Sequence, residues 1–186
     1  MGTIKTTNIE TITGSGTLTL GQSGETITIP SGATLTVPSG GLSGQNYPSF
    51  KATQNVSQTL SDNTVTILSL ETENWDTDSA FDNTTNYRFT VPSGKAGKYV
   101  FLGTMRLSGL ADQDRIQLRI YKNGSAANTG SVFYFMSVAE NAVMQVNLTD
   151  DASVGDYYDL RGYHFSGESK NTGAGYSSLS GYRIGA

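Results

Sequence analysis

At 186 residues, 36% of them hydrophobic, the chain can bury one good core, and the absence of cysteine leaves neither disulfide staples nor thiolate metal sites to hold it. A formal charge of −4, from 12 basic and 16 acidic residues, argues against a surface that tracks phosphates, so nucleic acid is not an expected partner. The N-terminal stretch lacks the basic-then-apolar pattern of a secretory signal, and no run approaches the ~18 apolar residues of a membrane span, so no membrane insertion is expected.

Residues 1–44 form a compositional block of their own. Thr17-Leu18-Thr19-Leu20, Thr26-Ile27-Thr28-Ile29 and Thr34-Leu35-Thr36-Val37 each alternate a hydroxyl with an aliphatic side chain, and a glycine follows each within three residues. Alternation at period two predicts thin strands with one aliphatic stripe, carried by Leu18, Leu20, Ile27, Ile29, Leu35 and Val37. So few aliphatics cannot fold alone. Either the stripes stack as turns of a small solenoid, or copies from three chains meet around an axis, or the segment is a flexible tail. The uneven spacing of the repeats favours the three-chain β stalk.

"PSGGLSGQNYP", residues 38–48, reads as a linker, and the aromatic residues begin at Tyr47. Residues 45–186 hold all the core-building aromatics and read as one head domain of short strands, at 49–53, 64–70, 85–91, 97–107, 114–122, 131–138, 142–149, 156–165 and 178–185. Asn123-Gly124 and Val154-Gly155-Asp156 are turn signals. No segment has a helical period. An all-β sandwich of the jelly-roll type follows from that many strands in so short a span. If neighbouring strands alternate in direction, loops 108–113, 139–141 and 166–177 share the end far from the point where the stalk enters.

Within "FDNTTNYRFTVPSGKAGKYVF", residues 81–101, Phe81, Phe89-Thr90-Val91-Pro92, Ala96-Gly97, Tyr99 and Phe101 follow in an order that resembles the C1q-type branch of the tumour necrosis factor superfamily. "LRIYKNG" at 118–124, "VGDYYDL" at 154–160 and "YSSLSGYRI" at 176–184 continue the resemblance, which departs from the family's pattern at Leu179, where an aromatic is more usual. The resemblance implies a homotrimeric jelly roll. The family's collagen stalk is missing, and a thin β stalk leading to such a head resembles proteins carried on the outside of tailed-phage particles. What this implies is a virion-surface protein made in the host cytoplasm: a capsid decoration (cement) or short head-fibre protein that docks by residues 1–44 on phage capsid or tail proteins. The alternative is a short tail fibre that binds a host surface glycan or protein through its distal loops.

The sequence offers little for catalysis. His164 is the only histidine and alternates with Tyr163 and Phe165 on a strand, which reads as packing. The carboxylate pairs Asp112 with Asp114 and Asp150 with Asp151 sit beside turns, where aspartate favours local backbone bonding. No cofactor is expected; these four are also the candidates for calcium, which takes oxygen ligands from loops, but no EF-hand loop is present and the alternative is a solvated turn. For receptor binding the candidates are Glu168, Lys170, Asn171 and Tyr176 in "SGESKNTGAGYS", since a rigid sandwich displays its contacts best on loops.

Overall fold

The computed structural model describes residues 26, 28–34 and 48–185. The chain divides into two units, residues 1–45 and 46–186. In the first unit every described residue is exposed, and Ala33 N–H donates to the Pro30 carbonyl at 3.0 Å across a turn where Gly32 takes a φ of 85°. Ile29 is 45% exposed. Leu18, Leu20, Ile27, Leu35 and Val37 lie outside the described residues.

The second unit is all-β: two antiparallel sheets face each other across one core. In chain order the strands are β1 (Ser49–Thr53), β2 (Thr59–Leu60), β3 (Thr66–Ile67), β4 (Thr72–Asp76), β5 (Phe81–Asp82), β6 (Arg88–Thr90) and β7 (Gly97–Leu110). They continue as β8 (Arg115–Lys122), β9 (Ser125–Phe135), β10 (Glu140–Ala152), β11 (Tyr157–Phe165), β12 (Lys170–Thr172) and β13 (Ser178–Gly185). In the first sheet β7 is flanked along its length by β10 on one side, and by β13 and then β12 on the other; β1 and β4 follow beyond β13. The second sheet runs β5-β6-β11-β8-β9, with β3 also on β11.

The strands from 49–53 and 178–185 fall where alternation places them. The 64–70 segment differs: only Thr66–Ile67 bridges to β11, while Leu68 and Leu70 are buried and Leu68 N–H donates to the Leu160 carbonyl. The 131–138 strand starts six residues earlier, at Ser125, because the Asn123-Gly124 turn has positive φ at both positions and reverses the chain at once.

Aromatic rings fill one end of the core. Phe50 stacks on Phe89 at 4.6 Å between centroids and on Phe81 at 5.1 Å, and Phe101 stacks on Tyr158 at 4.1 Å. These rings come from five strands and both sheets, so the cluster joins the layers. Space for them is made by glycine: a Cβ at Gly181 would lie 2.7 Å from Phe101 and 2.8 Å from Phe50.

The outer face of the second sheet carries arginines beside aromatics. Arg115 lies opposite Phe135 on one side and Phe165 on the other, and Gln117 lies between Phe133 and Tyr163. Arg119 lies opposite Arg161. Guanidinium groups lie over rings at 4.2 Å (Arg88 on Tyr157), 4.0 Å (Arg161 on Tyr121) and 5.2 Å (Arg115 on Phe165).

A turn after β5 is organised by one carboxylate. Asp82 accepts from the backbone N–H groups of Thr84, Thr85 and Asn86 and from the Asn86 amide. These bonds, Thr85 first and Thr84 next, hold its carboxyl well below the ordinary 3.8. A depressed folded value means stability that is full above the unfolded value and is lost as the pH falls through the folded one. Asp82→Ala should therefore flatten the acid limb of the stability curve below about pH 4, relative to the parent chain, with little change in its shape above that. An unchanged acid limb in acid-titrated melts would remove this role.

Candidate functional site

Three loops meet at the end of the sandwich away from the start of β1. Because β13 is antiparallel to both β1 and β7, the loop before β13 shares an end with the loop after β7 and lies opposite the point where β1 begins. Hydrogen bonds tie the loops together. Gly109 N–H donates to the Asn141 side chain at 3.1 Å, and Gln113 N–H donates to the Met136 carbonyl at 2.9 Å.

Lys170 is the third tie, and it corrects the sequence expectation. Its residue is buried, and its ammonium donates to the Gly109 carbonyl and, at 2.8 Å, to Glu168. Lys170 is held inward because Lys170–Thr172 forms β12, which pairs with β2 and β7 where the sequence reading had a loop. It is a clamp between loops, not a cation offered to a ligand. Glu168 stays exposed, and the Lys170 bond lowers its carboxyl from the usual range. Asn171 is exposed, but its side chain accepts from the Thr59 hydroxyl at 2.7 Å. Tyr176 is 53% exposed, with the Arg106 guanidinium 4.5 Å from its ring centre.

The aspartates form no joint site. Asp112 is exposed beside Gln113, and buried Asp114 accepts from Ala111 N–H at 2.8 Å, an ordinary turn bond at the distal end. Asp150 and Asp151 lie at the other end, near the close of β10. Burial works to raise the Asp150 carboxyl, but bonds from Lys122 at 2.8 Å and Tyr158 at 2.6 Å hold it below the usual range. Lys122 also meets Asp156 at 3.0 Å, and these bonds outweigh burial to raise its ammonium. The two pairs therefore cannot share one calcium ion, and among the described residues no group of three or more His, Asp or Glu side chains converges as a metal site.

His164 is fully enclosed. Its Nε2 donates to the Leu60 carbonyl at 3.0 Å, leaving Nδ1 facing the Ser166 hydroxyl at 3.0 Å. A ring so placed fastens the 166–170 segment to β2 and has no open approach to a substrate.

Two apolar surfaces were not picked out from sequence. The outer face of the first sheet exposes Trp75, Leu102 and Tyr182, with Lys51 over the indole at 5.9 Å; a depression of about 410 Å³ is lined by Trp75 and Leu102 among others. The other surface is at the far side of the sandwich, where Tyr134, Phe135 and Val143 line a hollow of about 280 Å³ and are each more than half exposed. The signal was present in the aromatic run Phe133-Tyr134-Phe135, whose successive residues cannot all point inward from one strand.

With the geometry in place, the fold can be compared with solved structures. The globular domain of zebrafish complement 1qA protein matches with a TM-score of 0.56 and 18% identity, over 74% of this chain and 97% of that one. Eiger TNF from S. frugiperda matches at 0.54 and 8%, over 74% and 91%, and murine APRIL at 0.54 and 9%, over 75% and 100%. No family model matches the chain, and no curated protein does. At these identities the likeness is one of fold: a C1q/TNF-like jelly roll.

Proposed function

We propose that this chain is a non-enzymatic, homotrimeric surface protein of a tailed-phage virion, in which residues 1–44 dock on the shell and the sandwich projects as a capsid decoration or short head-fibre knob. The observation that carries the assembly is the pair of unlike apolar surfaces. A contact between unlike patches leaves one of each free on every pair, and the assembly saturates only when a rotation closes the ring. Trp75, Leu102 and Tyr182 on one protomer are matched in chemistry by Tyr134, Phe135 and Val143 on the next. The phage setting is supported by the repeated Thr-aliphatic alternations that precede a C1q-like head. The absence of catalysis is supported by the enclosed His164 and by aspartates committed to turns and to Lys122.

A second reading, a short tail fibre, draws on Tyr176 and Arg106, which remain available at the distal end. Two measurements test the proposal. Light scattering should give about 59 kDa, three times the 19.8 kDa chain; a monomer at micromolar concentration would remove the trimer. Antibody label on particles should scatter over the shell; label at the tail selects the second reading, and particles without label refute both.

A further inference from the structure

We propose that the outer face of the second sheet is a binding platform for an acidic polysaccharide, with arginines meeting its carboxylates and aromatic rings its sugar faces. This is independent of the phage reading, and its residues are not those assigned to the assembly, although Phe133 and Arg115 adjoin Phe135 of the second apolar surface. Its first support is unbalanced charge. Arg119 and Arg161 face each other across β8 and β11, an arrangement that costs stability in a sheet, and only Arg161 is neutralised, by Asp159 at 2.5 and 3.0 Å. Neither Arg115 nor Arg119 has an ion-pair partner among the described residues, and each has a buried Nε without a hydrogen-bond acceptor. Arg115 donates only to the neutral Tyr163 hydroxyl, at 3.5 Å, and lies over the Phe165 ring. A chain of net charge −4 has carboxylates to spare, so leaving two guanidinium groups without a carboxylate on one face marks a place where an anion is supplied from outside.

The second support is spacing. Rows of residues two apart along a strand lie about 6.6 Å apart, and neighbouring strands about 4.8 Å, so Arg115 and Arg119 stand roughly 13 Å from each other. Between them is the row of Phe133, Gln117 and Tyr163, two ring faces with an amide between. A pyranose stacks its C–H face on an aromatic ring and gives hydroxyls to the amide, while planar guanidinium groups take carboxylates two-pronged. A polymer with one charge per sugar suits two well-separated cations. A nucleic acid, with denser charge, needs a tighter cationic cluster than this face provides.

The test uses the full chain and sodium polygalacturonate, a carboxylated pyranose polymer, titrated by calorimetry at low salt, with neutral dextran and oligothymidylate as comparators. Polygalacturonate should bind, dextran should not, and oligothymidylate should bind more weakly. Arg115→Gln with Arg119→Gln should weaken polygalacturonate by about tenfold or more, and Arg→Lys at both positions should restore only part of that, because the two-pronged geometry is lost. Should the double variant fail to fold, Phe133→Ala, at an exposed position, decides through the same loss of affinity. No binding to polygalacturonate, equal binding to dextran, tighter binding to oligothymidylate, or unchanged affinity in folded variants would each overturn the proposal.

Discussion

Phe101→Ala should lower the stability of the head by about 3–5 kcal/mol, the range for removing a large aromatic from a packed core. Phe101 is fully buried, and its ring lies 4.1 Å from Tyr158, 5.8 Å from Tyr99, 6.0 Å from Phe89 and 6.4 Å from Phe50, between centroids. The rings are fixed by two strands of each sheet, so collapse into the vacated space is restricted. Denaturant midpoints at one fixed protein concentration measure the effect, because assembly adds a concentration term. A loss below about 1 kcal/mol would mean that the aromatic cluster is peripheral to stability.

The largest effect on assembly is expected from one substitution on either apolar surface. Leu102→Lys places a charge in the middle of the first sheet's outer face, opposite Ser180 and Asn147 in the neighbouring strands, and Tyr134→Lys does the same on the other surface. Each position is exposed in the single chain, so the fold should be kept while the mass falls from about 59 kDa to 19.8 kDa. The unlike-patch model makes a sharper claim about the mixture. Each variant keeps one intact surface, so equal amounts of the two should form a pair of about 40 kDa, twice the chain mass, and no closed ring. Trimers from either variant alone would show that these surfaces are not the contact.

How far the sequence revealed this molecule depended on whether a segment's role leaves a mark in its own residues. Strands with an inward apolar row were legible: Phe50 and Ala52 locate the first, and Leu179 with Gly181 the last. Thr72–Asp76 was missed because its pairing with β1 is mainly a matter of backbone, and its side chains are mostly exposed. Lys170 was misread for a related reason. The partner that holds it inward is a carbonyl 61 residues away, and the nearby Glu168 would equally suit an exposed ion pair, so nothing in its immediate neighbours tells an inward lysine from an outward one. The arginine and aromatic face is a product of register. Arg115, Gln117 and Arg119 show a polar alternation in sequence, but only the pairing with β9 and β11 sets Phe133 and Tyr163 beside them.

The placement of the only tryptophan has an optical consequence. Trp75 is half exposed on the face assigned to the subunit contact, whereas Tyr99 and Tyr158 are sealed in the core. In the proposed trimer, indole emission would therefore follow whether three copies are together, and near-ultraviolet dichroism from the buried tyrosines would follow whether the sandwich is intact. Dilution that separates the subunits changes the first signal and leaves the second in place, so a fluorometer and a polarimeter can distinguish a dissociated knob from an unfolded one in the same sample.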